Sequence, residues 1–170
     1  MAEHWHRHSG VYGIGVRDGK MPVIRKRRGP YAGRYDLPGG SAEPDETLAE
    51  TLRREFREET GLGVHILRCL GAQDWVVPWR EEVRGTTHLH HIAIFCEVAC
   101  AEEAPARGVA ESGGSEWLEP HNDDSAGAEW VEPGGLNAGN CSPLVMWAAD
   151  WLRGKVDRAF EAVRPDQSGR

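Results

Sequence analysis

The spacing of apolar and polar positions changes character along the chain. Val11 to Val16 alternates apolar residues with small ones and glycine, the pattern of a strand, and Met21 to Lys26 forms a second after the turn Arg17-Asp-Gly-Lys20. The histidines before them, His4, His6 and His8, read as a polar lead-in. From Asp45 the period lengthens. Ala49, Leu52 and Phe56 share one helical stripe, while Glu50, Arg53 and Arg57 fall on the solvent side. Asp45, just before Glu46, suits the N-cap, and Gly61 suits a left-handed C-cap. Val64 to Val77 is mostly extended, and His88 to Cys100 contains the apolar strand Ile92 to Val98, with Pro78 to Thr87 as the turn or loop between. Residues 101–127 are rich in Ala, Glu, Gly and Ser without a period, so a long loop over the site is expected, ahead of a strand at Glu129-Trp-Val131. A last helix starts at Ser142 as cap with Pro143 in its first position, and Leu144, Val145, Ala148, Ala149 and Leu152 give it an apolar face. Trp130, Trp147 and Trp151 are expected in the core, and the tail from Arg164 to Arg170 is expected to fray.

Glu55, Glu58 and Glu59 stand within one turn of the first helix, close to its C-terminus. Three carboxylates there repel one another and meet a macrodipole that is already negative, so stability does not favour them. A hard divalent cation with oxygen ligands accounts for the arrangement. The glutamates lie about a quarter-turn from the apolar stripe, at the rim of the buried face. Upstream, Asp36-Leu-Pro-Gly-Gly40 is a turn by composition, and the glycines let a carbonyl such as that of Gly39 approach a cation. Glu46 and Arg54 are placed for an ion pair fixing this loop to the helix.

The run Gly40, five residues, Glu46, seven residues, then Arg54-Glu-Phe-Arg-Glu-Glu-Thr-Gly-Leu62 resembles the Nudix box at all nine of its fixed positions. The resemblance implies an α/β fold, an α/β/α sandwich with a mixed β-sheet. It also implies Mg²⁺- or Mn²⁺-dependent hydrolysis of a nucleoside diphosphate linked to another group, releasing a nucleoside monophosphate. Carried over by position, Glu55, Glu58 and Glu59 are the metal-binding carboxylates with the Gly39 carbonyl as a further ligand, and Arg54 and Glu46 are the orienting pair. Glu58, Glu59 or a loop acid serves as general base. The extra acid falls at Asp124, six residues before Trp130, with Asp123, Glu111, Glu116 and Glu119 as competitors. Pro78, sixteen residues past Leu62, leans the substrate towards ADP-ribose or a nucleotide sugar. A triphosphate pyrophosphohydrolase of the pool-sanitising type is the alternative, and a non-catalytic nucleotide-sensing module is a third. An isopentenyl-diphosphate isomerase lacks a supporting motif around Cys69 or Cys96, and a DNA-binding regulator lacks room after Val131.

Composition sets limits. The chain of 170 residues suits one domain, and its net charge of −7 argues against a stable nucleic-acid partner. No apolar run reaches the ~18 residues of a membrane span. Four cysteines without Cys-x-x-Cys spacing read as reduced thiols, which fits the cytoplasm. His88, His90 and His91 lack further zinc ligands and read as satisfied or surface strand residues. In the basic cluster Arg25 to Arg28, Arg25 and Arg27 are candidate phosphate contacts. Trp79, with Trp75 and Trp117, is a candidate for stacking on a base. The expected partner is a small nucleotide-type molecule, with a homodimer open.

Overall fold

The computed structural model describes residues 4–81, 85–101 and 125–156. The strands are β1 (Trp5–Ile14), β2 (Met21–Lys26), β3 (Tyr35–Asp36), β4 (Gly39–Gly40), β5 (Val64–Glu81), β6 (Thr86–Cys100) and β7 (Ser125–Val131). The helices are α1 (Leu48–Thr60) and α2 (Pro143–Leu152). One sheet runs β4-β1-β6-β5 and a second runs β3-β2-β7. The first is mixed, because β1 pairs parallel with β6 while β4 and β5 pair antiparallel with their neighbours. The chain passes from β1 to β2, in the other sheet, through a tight turn closed by an Arg17–Lys20 bridge, with Asp18 and Gly19 both at positive φ, as a primed two-residue turn requires.

Strand alternation makes the sandwich. On β6, Cys96 and Val98 join Val11, Leu52, Phe56 and Leu62 in a core beneath α1. Ala93 and Phe95 point the other way, into a core with Ile14, Met21, Leu144 and Ala148 beneath α2. The Phe95 ring stacks on Trp147 with centroids 4.2 Å apart. One residue of register therefore decides which helix a side chain meets. This is the mixed α/β arrangement expected, with a helix on each face of the mixed sheet. Among the described residues no helix is long and apolar enough to cross a membrane.

Several element boundaries move. The N-cap of α1 is Thr47, not Asp45. Thr47 Oγ1 accepts from Glu50 N at 3.3 Å, and Glu50 Oε2 accepts from Thr47 N at 2.9 Å, a reciprocal capping box. Glu46 thus precedes the helix and is free to bond elsewhere. The first strand begins at Trp5, because residues 5–14 pair parallel with His88–Glu97; the histidine lead-in is part of the sheet, and its polarity hid the alternation. Pro78 and Trp79 lie in β5 rather than a loop, with Pro78 opposite His88. Because β5 is the free edge of its sheet, a missing N–H is tolerated there. Residues 125–127 belong to β7, while the rest of the long segment expected as a loop, 102–124, lies outside the described residues, as does the tail. Trp130, Trp147 and Trp151 are half-buried at the margins of the two cores, with the Arg17 guanidinium 4.4 Å over the Trp130 ring. The last helix does begin as expected, with Ser142 Oγ accepting from Val145 N at 3.3 Å and Pro143 in its first turn.

Of the strand histidines, His91 is buried and held by two tyrosines. Tyr12 Oη lies 2.8 Å from Nε2 and Tyr31 Oη lies 3.2 Å from Nδ1. His90 Nε2 meets Asp74 Oδ2 at 2.8 Å, and His88 stacks on Trp5. Burial pushes the His91 imidazole down to about 3, from 6.5. The unfolded chain therefore takes up this proton before the folded one, and stability is lost as pH falls from 6.5 towards 3. Replacing His91 with Gln keeps a hydrogen-bonding side chain but no titrating group. Urea unfolding across that range is expected to show a shallower pH slope in His91→Gln than in the wild type. The same assay is expected to show Thr47→Ala losing ~1 kcal/mol and Asp45→Ala less than about 0.5 kcal/mol.

Candidate active site

Gly39 is the point where the glutamate helix meets the sheet. As part of β4 it pairs with Tyr12, at φ 144°, and a Cβ there would collide with the Val11 carbonyl oxygen and the Tyr12 backbone. Only glycine allows this approach. The Gly39 N–H donates to Glu59 Oε2 at 2.9 Å. Glu59 is 2% exposed, so it lies inside the protein rather than at a rim. Burial raises its carboxyl to about 8, against lowering by Lys26 and the Gly39 N–H. Gly40 leaves room for Glu55, whose carboxylate lies 2.7 Å from where a Cβ would stand. Burial raises Glu55 as well, and Arg54 opposes the shift.

Arg54 organises the remaining charges. Its Nε and Nη2 hold Glu46 at 2.6 and 2.9 Å, the ion pair expected from the spacing. Its Nη1 reaches Glu55 Oε1 at 2.9 Å and Glu58 Oε2 at 3.3 Å, and Nη2 also donates to the Ser41 carbonyl. The Arg54 hydrogen bond holds the Glu46 carboxyl down at about 2. Thr51 Oγ1 and the Glu43 N–H complete the Glu46 shell. Among the described residues, no three His, Cys, Asp or Glu side chains converge closely enough to hold an ion as they stand, and Glu55 and Glu58 are both bonded to Arg54. The donor chemistry still fits a hard divalent cation. Two desolvated carboxylates flank a side-chain-free glycine turn, and among the described residues Glu59 Oε2 accepts one hydrogen bond, from the Gly39 N–H.

Beside this centre lies a cavity of about 260 Å³ lined by His6, His8, Lys26, Asp36, Trp79 and His91 among others. Tyr12 lines it and also packs on Gly39, so it joins cavity to carboxylates. Asp36 is 2% exposed, and burial raises its carboxyl. Its Oδ1 accepts from Ser142 Oγ at 2.7 Å and from Leu37 N at 3.0 Å. Trp79 contributes a wall of the cavity. The basic cluster is rearranged relative to expectation. Arg25 stacks over Tyr35 at 4.5 Å and meets Glu129 at 3.6 Å, and Arg27 is exposed outside the cavity lining. Lys26 and Arg28 line it instead. Trp75 packs edge-on against Phe95 within the sheet. Asp124, its competitors Asp123, Glu111, Glu116 and Glu119, and Trp117 lie outside the described residues. The sequence reading missed His8, Asp36 and His91 as cavity residues. Asp36 had one available signal, its position directly before the Leu-Pro-Gly-Gly turn.

Residues 6–152 match the NUDIX domain model. An "ADP-ribose pyrophosphatase" of Methanocaldococcus jannaschii is 39% identical over 66 residues, covering 39% of this chain and 39% of that protein. A "Nucleoside triphosphatase NudI" of Enterobacter is 41% identical over 63 residues, covering 36% of this chain and 40% of that one. The chain thus spans about two-fifths of the length of these curated relatives. A "CTP pyrophosphohydrolase" of Escherichia coli is 34% identical over 100 residues, 56% of this chain and 70% of the other. Among solved structures, a "MutT NUDIX hydrolase from Burkholderia pseudomallei" superposes with a TM-score of 0.61 at 20% identity, over 85% of this chain and 97% of that one, a likeness of fold. With the family model matched over most of its length and the fold shared, this chain belongs to the Nudix family.

Proposed function

We propose that this protein hydrolyses the pyrophosphate bond of a nucleoside diphosphate linked to another group, releasing a nucleoside monophosphate, with Mg²⁺ or Mn²⁺ held by Glu55, Glu58, Glu59 and the Gly39 carbonyl. The observation that carries the reading is the buried Glu59, tied to the Gly39 turn at 2.9 Å, with a cavity of about 260 Å³ beside that turn. A divalent cation held by these residues would offset the negative charge of phosphate oxygens and make a water easier to ionise. The chain's own groups do the rest. Glu46 holds Arg54 by two bonds, so the guanidinium is fixed where it can orient Glu55 and Glu58. Glu58 or Glu59 takes the water proton. Lys26 and Arg28 at the cavity wall supply positive charge for phosphate oxygens.

The nucleoside end occupies the cavity, with its base against Trp79 and Asp36 accepting from base or ribose. We favour ADP-ribose or a related nucleotide sugar, because Pro78 in β5 directly precedes the cavity-lining Trp79. A nucleoside triphosphate is the second reading, favoured by the names of the Enterobacter and E. coli relatives. A panel of ADP-ribose, other nucleotide sugars, dinucleoside polyphosphates and triphosphates, with products resolved, separates the two. Monophosphate plus sugar phosphate supports the first, and monophosphate plus pyrophosphate supports the second.

Chelation with EDTA is expected to abolish turnover, and added Mg²⁺ or Mn²⁺ to restore it. Glu59→Gln is expected to lower kcat about a hundredfold or more while leaving the circular dichroism spectrum unchanged; unchanged turnover in this variant contradicts the site. Trp79→Ala is expected to raise KM about tenfold with little change in kcat, the size of one lost base-stacking contact. A fall in kcat alone would remove Trp79 from substrate binding.

A further inference from the structure

Cys69 and Cys96 stand directly opposite one another across the β5–β6 ladder. Opposed residues of an antiparallel pair have Cα atoms about 4.5 to 5.5 Å apart, within the ~4.4–6.8 Å range of disulfides. Cys69 is exposed at the free edge of the sheet, where a solute can reach it. Cys96 is buried in the cluster that contains Leu52 and Phe56 of α1. The register of β5 breaks on either side, between Ile66 and Arg68 and between Cys69 and Gly71, so the strand around Cys69 can adjust its Cβ position without disturbing a regular ladder. Burial pushes the Cys96 thiol up to about 11, and the neighbouring Cys69 thiol pushes it the same way. The two residues are therefore paired across the ladder and unequal: one thiol open to reagents, the other shielded. Of the other thiols, Cys141 is buried beside Asn140, and Cys100 lies opposite Val64. Hydrolysis at the glutamates uses neither thiol of the pair.

We propose that Cys69 and Cys96 form a dithiol site that peroxides oxidise to a cross-strand disulfide within one chain. The Cys69 thiolate attacks one peroxide oxygen, the O–O bond breaks, and the leaving oxygen departs as water after taking a proton, leaving a sulfenic acid. Cys96 sulfur then attacks the Cys69 sulfur, and the sulfenic hydroxyl leaves as a second water with the Cys96 proton. Two thiols and one hydrogen peroxide give one disulfide and two waters. The shielded partner acts as the resolving thiol, because the nucleophile in the first step must be accessible and ionisable. The bond ties the free edge of the sheet to its neighbour underneath α1.

The test uses the full chain, folded and treated with hydrogen peroxide, then alkylated and analysed by intact mass and peptide mapping. The expected result is loss of two alkylatable thiols and two hydrogens per chain, reversed by dithiothreitol, with a peptide joining Cys69 to Cys96. Cys69→Ser, a change at an exposed position, is expected to abolish the cross-link, while Cys100→Ser and Cys141→Ser retain it. Three results overturn the proposal. One is a cross-link that persists in Cys69→Ser. Another is oxidation of Cys69 to sulfinic acid at every peroxide level with Cys96 still free. The third is loss of the Cys141 thiol at the same rate, which marks oxidation through an opened chain.

Discussion

A carboxylate almost wholly removed from water, accepting a hydrogen bond from a backbone N–H, is the contact on which this site is built. Glu59 joins the last turn of α1 to Gly39 on β4. An ionised carboxylate is costly to bury without compensation, and the rise of its pKa expresses that cost. The arrangement requires Gly39 to lie flat against Tyr12 and requires α1 to end where Gly61 caps it, its N–H bonded to the Arg57 carbonyl at 2.8 Å. Changing either end moves the carboxylate away from the turn. A cation of two charges at this point would offset the burial of Glu59 and Glu55 together, which ties the proposed chemistry to the stability of the fold.

Arg54 is the counterpart of that buried charge. Among the described residues it is the one side chain bonded to Glu46, Glu55 and Glu58 at once. Its two-bond grip on Glu46 is geometrically matched and low in freedom, whereas its contacts with Glu55 and Glu58 use a single nitrogen. A cation held by Glu55 and Glu58 would compete with the single-nitrogen half of the Arg54 network and not with its two-bond grip on Glu46. Thr47, by taking over the cap of α1, frees Glu46 for this role.

The box was legible because its constraints are local. The helix stripe, the glycine turn and the Glu46–Arg54 pair all follow from spacings of eight residues or fewer, and each stands where the spacing puts it. Glu59 was placed at a rim because periodicity ranks residues by angle around one helix and ignores what packs on it; β4 covers that flank. The orientation of the basic cluster was illegible for a related reason. Alternation along β2 decides that Lys26 faces the cavity while Arg25 turns to Tyr35, and nothing in four consecutive basic residues reveals the phase. The cavity itself was illegible, since His6, His8, Trp79 and His91 come from three strands brought together by a parallel pairing that no short pattern announces.

That parallel pairing has a consequence for how the molecule comes together. Trp5 finds its neighbour at His88, and Ile14 at Glu97. Closing so wide a loop costs entropy before any contact returns it, and such long-range pairing slows folding. During synthesis the end of the first strand can pair with β4 at Val11 and Tyr12, but the stretch that carries its histidines has no neighbour until the sixth strand has left the ribosome. The box helix, by contrast, can form as soon as it is made, and waits for a floor.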